Sequence, residues 1–528
     1  ADGNVTAVMK NADGTTETGK SDKYGQGLYY KNAIGGVRKY LYNEQSDMTE
    51  FSDMDGSGKT YSYDGRGNIT EIKENTGKIL TYTYDEDNHI TSIKGNDGTD
   101  ITYTYNDKGQ RTKVESGNGI TAEYTYNQYG QILTEKSELG TIRYAYEDGM
   151  LVKMADYSGN VHSFSYDANG NVTSYTDGAG ITTDYEVDVR GNVTKEMVHL
   201  DNDKTAVTSY AYDGYGNMLS RTDAKGNKTE YKYDDDDHLT KEIRPDGTAY
   251  EYSYDANGNL TEIVCPDGET TVNAAYDAAG NALSITDMLG SLQNASYSAG
   301  SQLRSLTQAN GGRISYTYYD NGLLKSQTDA DGNTSTFTYD DAGRLSTVSD
   351  GAGAKTTLSY DKDGNLSCVE NALGNKTELL YNEYRKITKA IDNNANATFY
   401  EYDSSLNCTK VTDAEGGITE FSYDARKRIT SVTKKGQTKA EDITLSMTYD
   451  NLDNVTSITD GEGNTHRMEY NELSQLVKVY DAKGVLTGKY DYDSLGNCIS
   501  VTDAFGVVTE RSYDAFGNLI KELNKDTG

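Results

Sequence analysis

The sequence predicts an all-β chain built from tandem antiparallel β-hairpin repeats of about 21 residues. Three observations predict it. A tyrosine followed by Asp or Asn recurs at near-constant spacing, at Tyr42, Tyr63, Tyr84, Tyr105 and Tyr126 and on to Tyr513, with Val187 standing in once. Two glycine-bearing turn signals separate successive tyrosines. The composition is that of sheet and turn: 46 Tyr and 54 Gly but only 2 Pro and no Trp.

Each element of the repeat follows from its residues. In "YDANGNLTEIVCPDGETTVNAAYD", starting at Tyr254, the string Asp255-Ala256-Asn257-Gly258-Asn259 is a turn. Gly accepts positive φ, and Asp or Asn oxygens bond to nearby backbone N–H groups. An apolar segment with Leu260 and Ile263 follows, then a second turn at Pro266-Asp267-Gly268, then a Thr-rich segment returning to Tyr276. The returning half is often Thr-x-Tyr-x-Tyr, as in Thr81-Tyr82-Thr83-Tyr84, so alternate residues put both rings on one side. Two turns per repeat leave strands of about seven residues, one hairpin per repeat. The outgoing half does not alternate: Ile69 and Ile72, Leu260 and Ile263, and Leu345 and Val348 are three apart. A segment this short between turns is no helix. It reads as a strand whose first apolar residue belongs to the turn, or as one with a bulge.

The repeat is defined by Tyr63, Asp64, Gly67 and Asn68; Tyr166, Asp167, Gly170 and Asn171; Tyr254, Asp255, Gly258 and Asn259; Tyr339, Asp340 and Gly343; and Tyr513, Asp514, Gly517 and Asn518. One hairpin cannot stand alone, so each repeat depends on its neighbours. Stacking of tyrosines at successive anchors is expected to add to that shared stability.

On these residues the chain resembles the YD-repeat, or RHS-repeat, family: "YDANGNVTSYTDGAG" from Tyr166 and "YDAFGNLIKELNKDTG" from Tyr513 carry the likeness. Relatives of that kind include polymorphic toxins of bacteria, wall-associated proteins, shell components of insecticidal toxin complexes and teneurins. The resemblance implies one long spiralling sheet forming a hollow shell or tube. For function it implies a non-enzymatic extracellular scaffold that encapsulates and delivers a C-terminal toxin-type cargo. The other reading is an extracellular structural or adhesive filament on the cell surface that binds carbohydrate and self-assembles into a fibre. A secreted or cell-surface bacterial product is expected, partnered by its own cargo or by neighbouring repeats of a longer chain. The toxin shells usually end in a Pro-rich segment with an Asp-Pro-x-Gly self-cleavage motif. Here Pro245 and Pro266 are the only prolines and neither follows Asp, so no cleavage residues carry over.

Residues 1–36 read as a degenerate or partial repeat, with Tyr24 or Tyr29 near the expected anchor, and residues 37–528 as a continuous array. Gly3-Asn4-Val5 matches the middle of a repeat and Asp526-Thr527-Gly528 lies inside a turn, so a segment of a longer chain is expected. Two intervals are long: Val187 to Tyr212, with "HLDNDKTAVTS", and Tyr423 to Tyr449, with "KKGQTKAEDITLS". They lie about 11 repeats apart. If that is one superhelical turn, 22 strands at about 4.8 Å give a circumference of about 105 Å and a diameter of about 34 Å. A coincidental spacing leaves a wider spiral open.

Composition narrows the function classes. A net charge of −33 disfavours nucleic acid and anionic membrane as partners. No apolar run approaches the roughly 18 residues of a membrane helix. Cys265, Cys368, Cys408 and Cys498 are far apart in sequence, with neither metal nor disulfide spacing. His89 and His238 take a place usually held by Asn, and His162 and His466 share another; with His199 they form no catalytic pair. The acidic run Asp234-Asp235-Asp236-Asp237 offers hard oxygens that suit Ca²⁺, yet turn geometry accounts for Asp, Asn and Gly here, and no EF-hand spacing is present. No GxSxG, HExxH or P-loop occurs. No enzyme, metal or cofactor is expected.

Overall fold

Tyrosine and threonine alternating between glycine turns should pleat and reverse without pause, and the chain does so. The computed structural model describes residues 4–201 and 204–527. Among them are 49 strands, all in one sheet, and a single-turn 3-10 helix at Lys439–Glu441. Each described pairing between consecutive strands is antiparallel, as in Val5–Lys10 with Thr16–Ser21 and Ile69–Glu74 with Ile79–Tyr84. Gly3 and Gly528, like Asn202 and Asp203 of the first long loop, lie outside the described residues.

Strands run mostly to five or six residues rather than seven, because each turn consumes five. The anchor tyrosine is the last residue of the returning strand, as in Ile79–Tyr84, Val161–Tyr166, Ala249–Tyr254, Thr334–Tyr339 and Val508–Tyr513. Residues 4–36 carry the same hairpins. Ser21, not Tyr24 or Tyr29, closes the strand Thr16–Ser21 and holds the anchor place. Tyr24 sits in the turn and Tyr29 on the outgoing strand Gly27–Lys31.

The three-residue apolar spacing is a β-bulge. Tyr63 pairs with Ile69 and Tyr61 with Ile72, with the register slipping between Ser62 and Tyr63. The same slip sets Tyr339 against Leu345 and Phe337 against Val348. An extra residue in the outgoing strand thus turns a spacing of three into a same-face pair opposite tyrosines spaced by two. That face gathers the tyrosines and aliphatics. The other carries Thr, Ser, Lys and Glu in cross-strand contacts such as Thr338 Oγ1 to Thr347 Oγ1 at 2.6 Å and Lys410 Nζ to Glu401 Oε1 at 2.8 Å. No side chain among the described residues is fully buried, and the buried apolar positions are Ala122, Ala206, Cys265 and Ala342. A half-wet face suits tyrosine, which buries its ring and keeps its hydroxyl bonded.

The chain divides into two compact units. Unit 1 comprises Ala1–Tyr124, Ser253–Ile263 and Thr271–Ala397. Unit 2 comprises Thr125–Tyr252, Val264–Thr270 and Thr398–Gly528. Each unit combines an early stretch of the hairpin ribbon, its first pass, with a late stretch, its second pass. A meander of hairpins has two edges. The turns that follow the tyrosines (anchor turns) form one, and the turns that precede them (return turns) form the other.

Candidate functional site

The repeating unit of the array is the anchor turn. In Asp64-Gly65-Arg66-Gly67-Asn68 the Asp64 N–H donates to the Asn68 carbonyl at 2.9 Å and the Gly67 N–H donates to the Asp64 carbonyl at 3.1 Å. Gly67 has φ +86°, in the left-handed region that favours glycine. Asp64 Oδ1 accepts from the N–H groups of Arg66 and Asn68 at 2.8 and 2.9 Å, and Oδ2 accepts from Asn68 Nδ2 at 3.0 Å. The turns at Asp167 to Asn171, Asp255 to Asn259 and Asp514 to Asn518 repeat these bonds, with Gly170, Gly258 and Gly517 at φ +87°, +80° and +82°. At Asp340 the guanidinium of Arg344 replaces the asparagine, at 2.8 Å, and Gly343 keeps φ +75°. Hydrogen bonds from Asn68 hold the Asp64 carboxyl down at about 2. Asn171 and Asn518 lower Asp167 and Asp514 in the same way. At Asp255 and Asp340 burial opposes the shift and the bonds from Asn259 and Arg344 outweigh it.

The anchor hydroxyls tie neighbouring repeats together. Tyr63 donates to the Met48 carbonyl at 2.6 Å, Tyr166 to Leu151 at 2.8 Å, Tyr339 to Leu324 at 3.0 Å and Tyr513 to Cys498 at 2.7 Å. Each acceptor lies at or next to the start of the outgoing strand of the preceding repeat. Burial raises the hydroxyl pKa of Tyr63 and Tyr339 above 10. Successive anchors stand two strands apart, roughly 10 Å, so the expected ring-on-ring stacking between them does not occur among the described pairs. Rings do meet across adjacent strands, as Phe164 with Tyr175 at 5.1 Å, and along one strand, as Tyr250 with Tyr252 at 6.4 Å.

His89 and His238 take over the asparagine's work: their Nδ1 atoms lie 3.0 and 3.1 Å from the Oδ2 atoms of Asp85 and Asp234. His162 pairs with the Tyr175 hydroxyl at 2.8 Å, His199 with Asp184 at 2.7 Å, and His466 sits opposite Ile458. In the acidic run, Asp234 is occupied by its own turn, and Asp237 accepts from Asn217 Nδ2 at 2.6 Å. Among the described residues no three His, Cys, Asp or Glu side chains gather as a metal site, and the four cysteines are free thiols.

Sequence reasoning missed a seam in each unit, where return turns of the first pass meet anchor turns of the second. In unit 1, Asn32 Nδ2 donates to the Ala299 carbonyl at 3.2 Å, Asn96 Nδ2 to Asp341 at 2.9 Å and Asn118 Nδ2 to Glu383 at 2.7 Å. The backbones approach so closely that a Cβ on Gly77 would lie 2.5 Å from the Asp341 carbonyl oxygen. Gly36 faces the Ala299 carbonyl, and Gly300 the Met54 carbonyl, in the same way. In unit 2 the seam is more polar. Arg426 Nε meets the buried Asp177 at 2.6 Å, Ser158 Oγ meets Ser405 Oγ at 2.6 Å, and Arg244 Nη1 donates to the Ala515 carbonyl at 2.6 Å.

The seams decide between the 11-repeat return and the wider spiral that the sequence leaves open. Their partners lie 244 to 267 residues apart in unit 1 and 246 to 271 in unit 2, which is nearer 12 repeats of about 21 residues. Among the described residues the two long loops make no contact with each other. In unit 2 the first one lies against the anchor turn that follows Tyr449, where Asn451 Nδ2 donates to the His199 carbonyl at 3.1 Å. A cavity of about 280 Å³ there is lined by Leu200, Lys204, Leu452 and Tyr470. In the second loop Lys435 pairs with Asp442 at 2.5 Å.

Comparison with known proteins matches the RHS repeat family to residues 63–121, 146–203, 233–270, 318–357, 402–439 and 492–527, about half of the chain. No curated protein matches the sequence. Among solved structures, TcdB2-TccC3 without its hypervariable C-terminal region aligns over 97% of this chain and 39% of its own, with TM-score 0.56 and 13% identity. The Photorhabdus luminescens Tc holotoxin pore aligns over 96% of this chain and 32% of its own, with TM-score 0.55 and 14% identity. The likeness is one of fold, and the chain spans about a third to two fifths of those proteins.

Proposed function

Because this chain belongs to the RHS-repeat family, we propose that its hairpin ribbon is the wall of a hollow, non-enzymatic shell that encloses and delivers a C-terminal toxin-type cargo. One observation carries the reading: the ribbon meets itself edge to edge, and the meeting edges are fitted to each other by close glycines and by ion pairs. A sheet that only spaced two binding modules would need no such seam. Closing turn against turn excludes bulk solvent and other proteins, which is the property a container needs. The turns suit this work because each closes itself by its own backbone bonds, leaving anchor-turn carbonyls free to accept from return-turn side chains such as Asn32, Asn96 and Asn118. Secretion or display on a bacterial surface belongs to the same reading, as do partners drawn from the rest of a longer chain.

The test uses the natural full-length protein under native conditions. Electron microscopy should give hollow particles with internal density, and a protease should leave everything inside the repeat wall uncut until the wall is unfolded. Cargo cut as fast in the intact particle as in denaturant would end the proposal. The other reading, an extracellular tube or adhesive filament with affinity for carbohydrate, is favoured by the apolar turn tips that remain exposed on the edges outside the seams. Long tubes of constant width in the same micrographs would decide for it.

A further inference from the structure

Turn tips carry large apolar residues, and their exposure depends on which edge they occupy. At the seams the tips are covered: Tyr384 in unit 1, and Leu452, Leu473, Leu495 and Phe516 in unit 2, are all half-buried. The corresponding tips of the first-pass anchor turns are bare. Tyr24 in unit 1 is 74% exposed, and Tyr129 and Tyr215 in unit 2 are 80% and 87% exposed. The return turns of the second pass are bare as well, with Leu289 and Leu373 in unit 1 at 90% and 85% and Phe505 in unit 2 at 92%. Single exposed apolar residues are ordinary on a protein surface. Here they occupy one turn position on the two edges that have no partner among the described residues, and the same position is covered where the edges have one.

Each unit therefore presents both halves of an interface that it already forms once internally. We propose that a second copy of this chain docks there, with the second-pass return turns of one molecule seated on the first-pass anchor turns of the next. The chemistry of the occupant is that of the internal seam. Backbone carbonyls on one edge accept from asparagine and arginine on the other, as Ala299 does from Asn32 and Ala515 from Arg244. Apolar tips fill the spaces between. Such an interface is heterologous, head to tail, so it leaves a fresh edge at each end and propagates as an open row. The charge of −33 per chain opposes association. Raising the salt shortens the Debye length from about 30 Å at 0.01 M to about 8 Å at 0.15 M. Association should therefore strengthen with salt, the reverse of a contact made by attraction between opposite charges. This inference does not rest on the cargo-shell reading, since a stacked wall and a cargo-bearing wall are separate properties.

The test is sedimentation velocity of the purified 528-residue chain at rising concentration in low and moderate salt. The expected result is a ladder of whole-number multiples that grows with concentration and with salt. Two variants separate the edges: Tyr129→Ser with Tyr215→Ser on the anchor edge, and Leu289→Ser, Leu373→Ser and Phe505→Ser on the return edge. All five tips are exposed, so unchanged circular dichroism and melting report intact folding. Each variant alone should associate about tenfold more weakly, in keeping with the loss of aromatic or aliphatic anchors at an interface. Mixed together, the two variants retain one intact edge each and should form 1:1 pairs that grow no further. A chain that stays at single mass at every concentration and salt overturns the proposal. So do variants that associate as readily as the parent.

Discussion

Gly36 and Gly65 both carry an ordinary φ, so replacing either with alanine adds a methyl without forcing the backbone into the left-handed region. They differ in what the methyl meets. At Gly65 nothing lies within 4 Å. At Gly36 the new Cβ would fall on the Ala299 carbonyl oxygen, with Asn32 Nδ2 3.0 Å away. The seam would have to part locally by about an ångström, costing the 3.2 Å bond from Asn32 to Ala299. A lost side-chain hydrogen bond costs about 0.5–1.5 kcal/mol, and overpacking against backbone adds about 1–3 kcal/mol. Against this, alanine restricts the unfolded chain and stabilises by about 0.4–1 kcal/mol at either site. Gly36→Ala should therefore destabilise by about 1–3 kcal/mol while Gly65→Ala is neutral or slightly stabilising. Because an array of repeats need not melt in two states, the assay is hydrogen exchange read peptide by peptide. Amides around residues 32–36 and 298–302 should lose protection in Gly36→Ala and keep it in Gly65→Ala. Equal protection at both places in the two variants would refute the seam contact itself.

Other outcomes follow from the same geometry. Arg426→Gln strips the buried Asp177 of its guanidinium partner; a carboxylate left short of a partner costs about 1–3 kcal/mol, and thermal melting with exchange around residues 177–181 would show it. Tyr339→Phe removes the donor to the Leu324 carbonyl, and exchange on strand Leu324–Thr328 should speed by the equivalent of about 1 kcal/mol with little change elsewhere. The carboxyls of Asp64, Asp167 and Asp514 are held below the ordinary aspartate value by their asparagine partners, Asp64 at about 2, so the stability they give is complete above pH 3.8 and is lost as pH falls toward 2. Tyr63 and Tyr339 are raised above 10, so their contribution is complete below pH 10 and is lost as pH rises from there. A melting profile should thus be flat between these limits and fall at both ends. Chelator and millimolar calcium should give the same melting temperature, and a rise of several degrees with calcium would install a metal site at the acidic turns.

The parts of this fold that were legible in the sequence are those written within one repeat. The aspartate at Asp167, the glycine at Gly170 and the asparagine at Asn171 specify a turn by their own chemistry, and the structure closes it with bonds spanning four residues. The spacing of Ile69 and Ile72 excluded a helix but left a turn residue and a bulge both open, and the register slip between Ser62 and Tyr63 decides for the bulge. The seam was not legible because its partners lie some 250 residues apart and each turn is already satisfied alone. Asn32, Asn96 and Asn118 occupy turn positions where asparagine needs no distant partner to explain it. The two long loops pointed to the right kind of return but to the wrong number of repeats. Loops of that kind both lie on the return edge, whereas a seam joins a return edge to an anchor edge.

That opposition of edges also decides what a substitution can reveal. A residue such as Gly170, with φ +87° and open space around it, is required by its own turn and would be kept in any hairpin array, closed or not. Gly36 and Gly300 have no such local need, because their φ values suit any residue and only a backbone from the other pass excludes a side chain. Glycine of the second kind is thus the mark of closure between passes, and it becomes visible only when the two strands are seen side by side. In this chain Gly36 on a return edge and Gly300 on an anchor edge mark such closure from its two sides, and bare aromatic tips such as Tyr215 and Phe505 mark edges that no described residue covers.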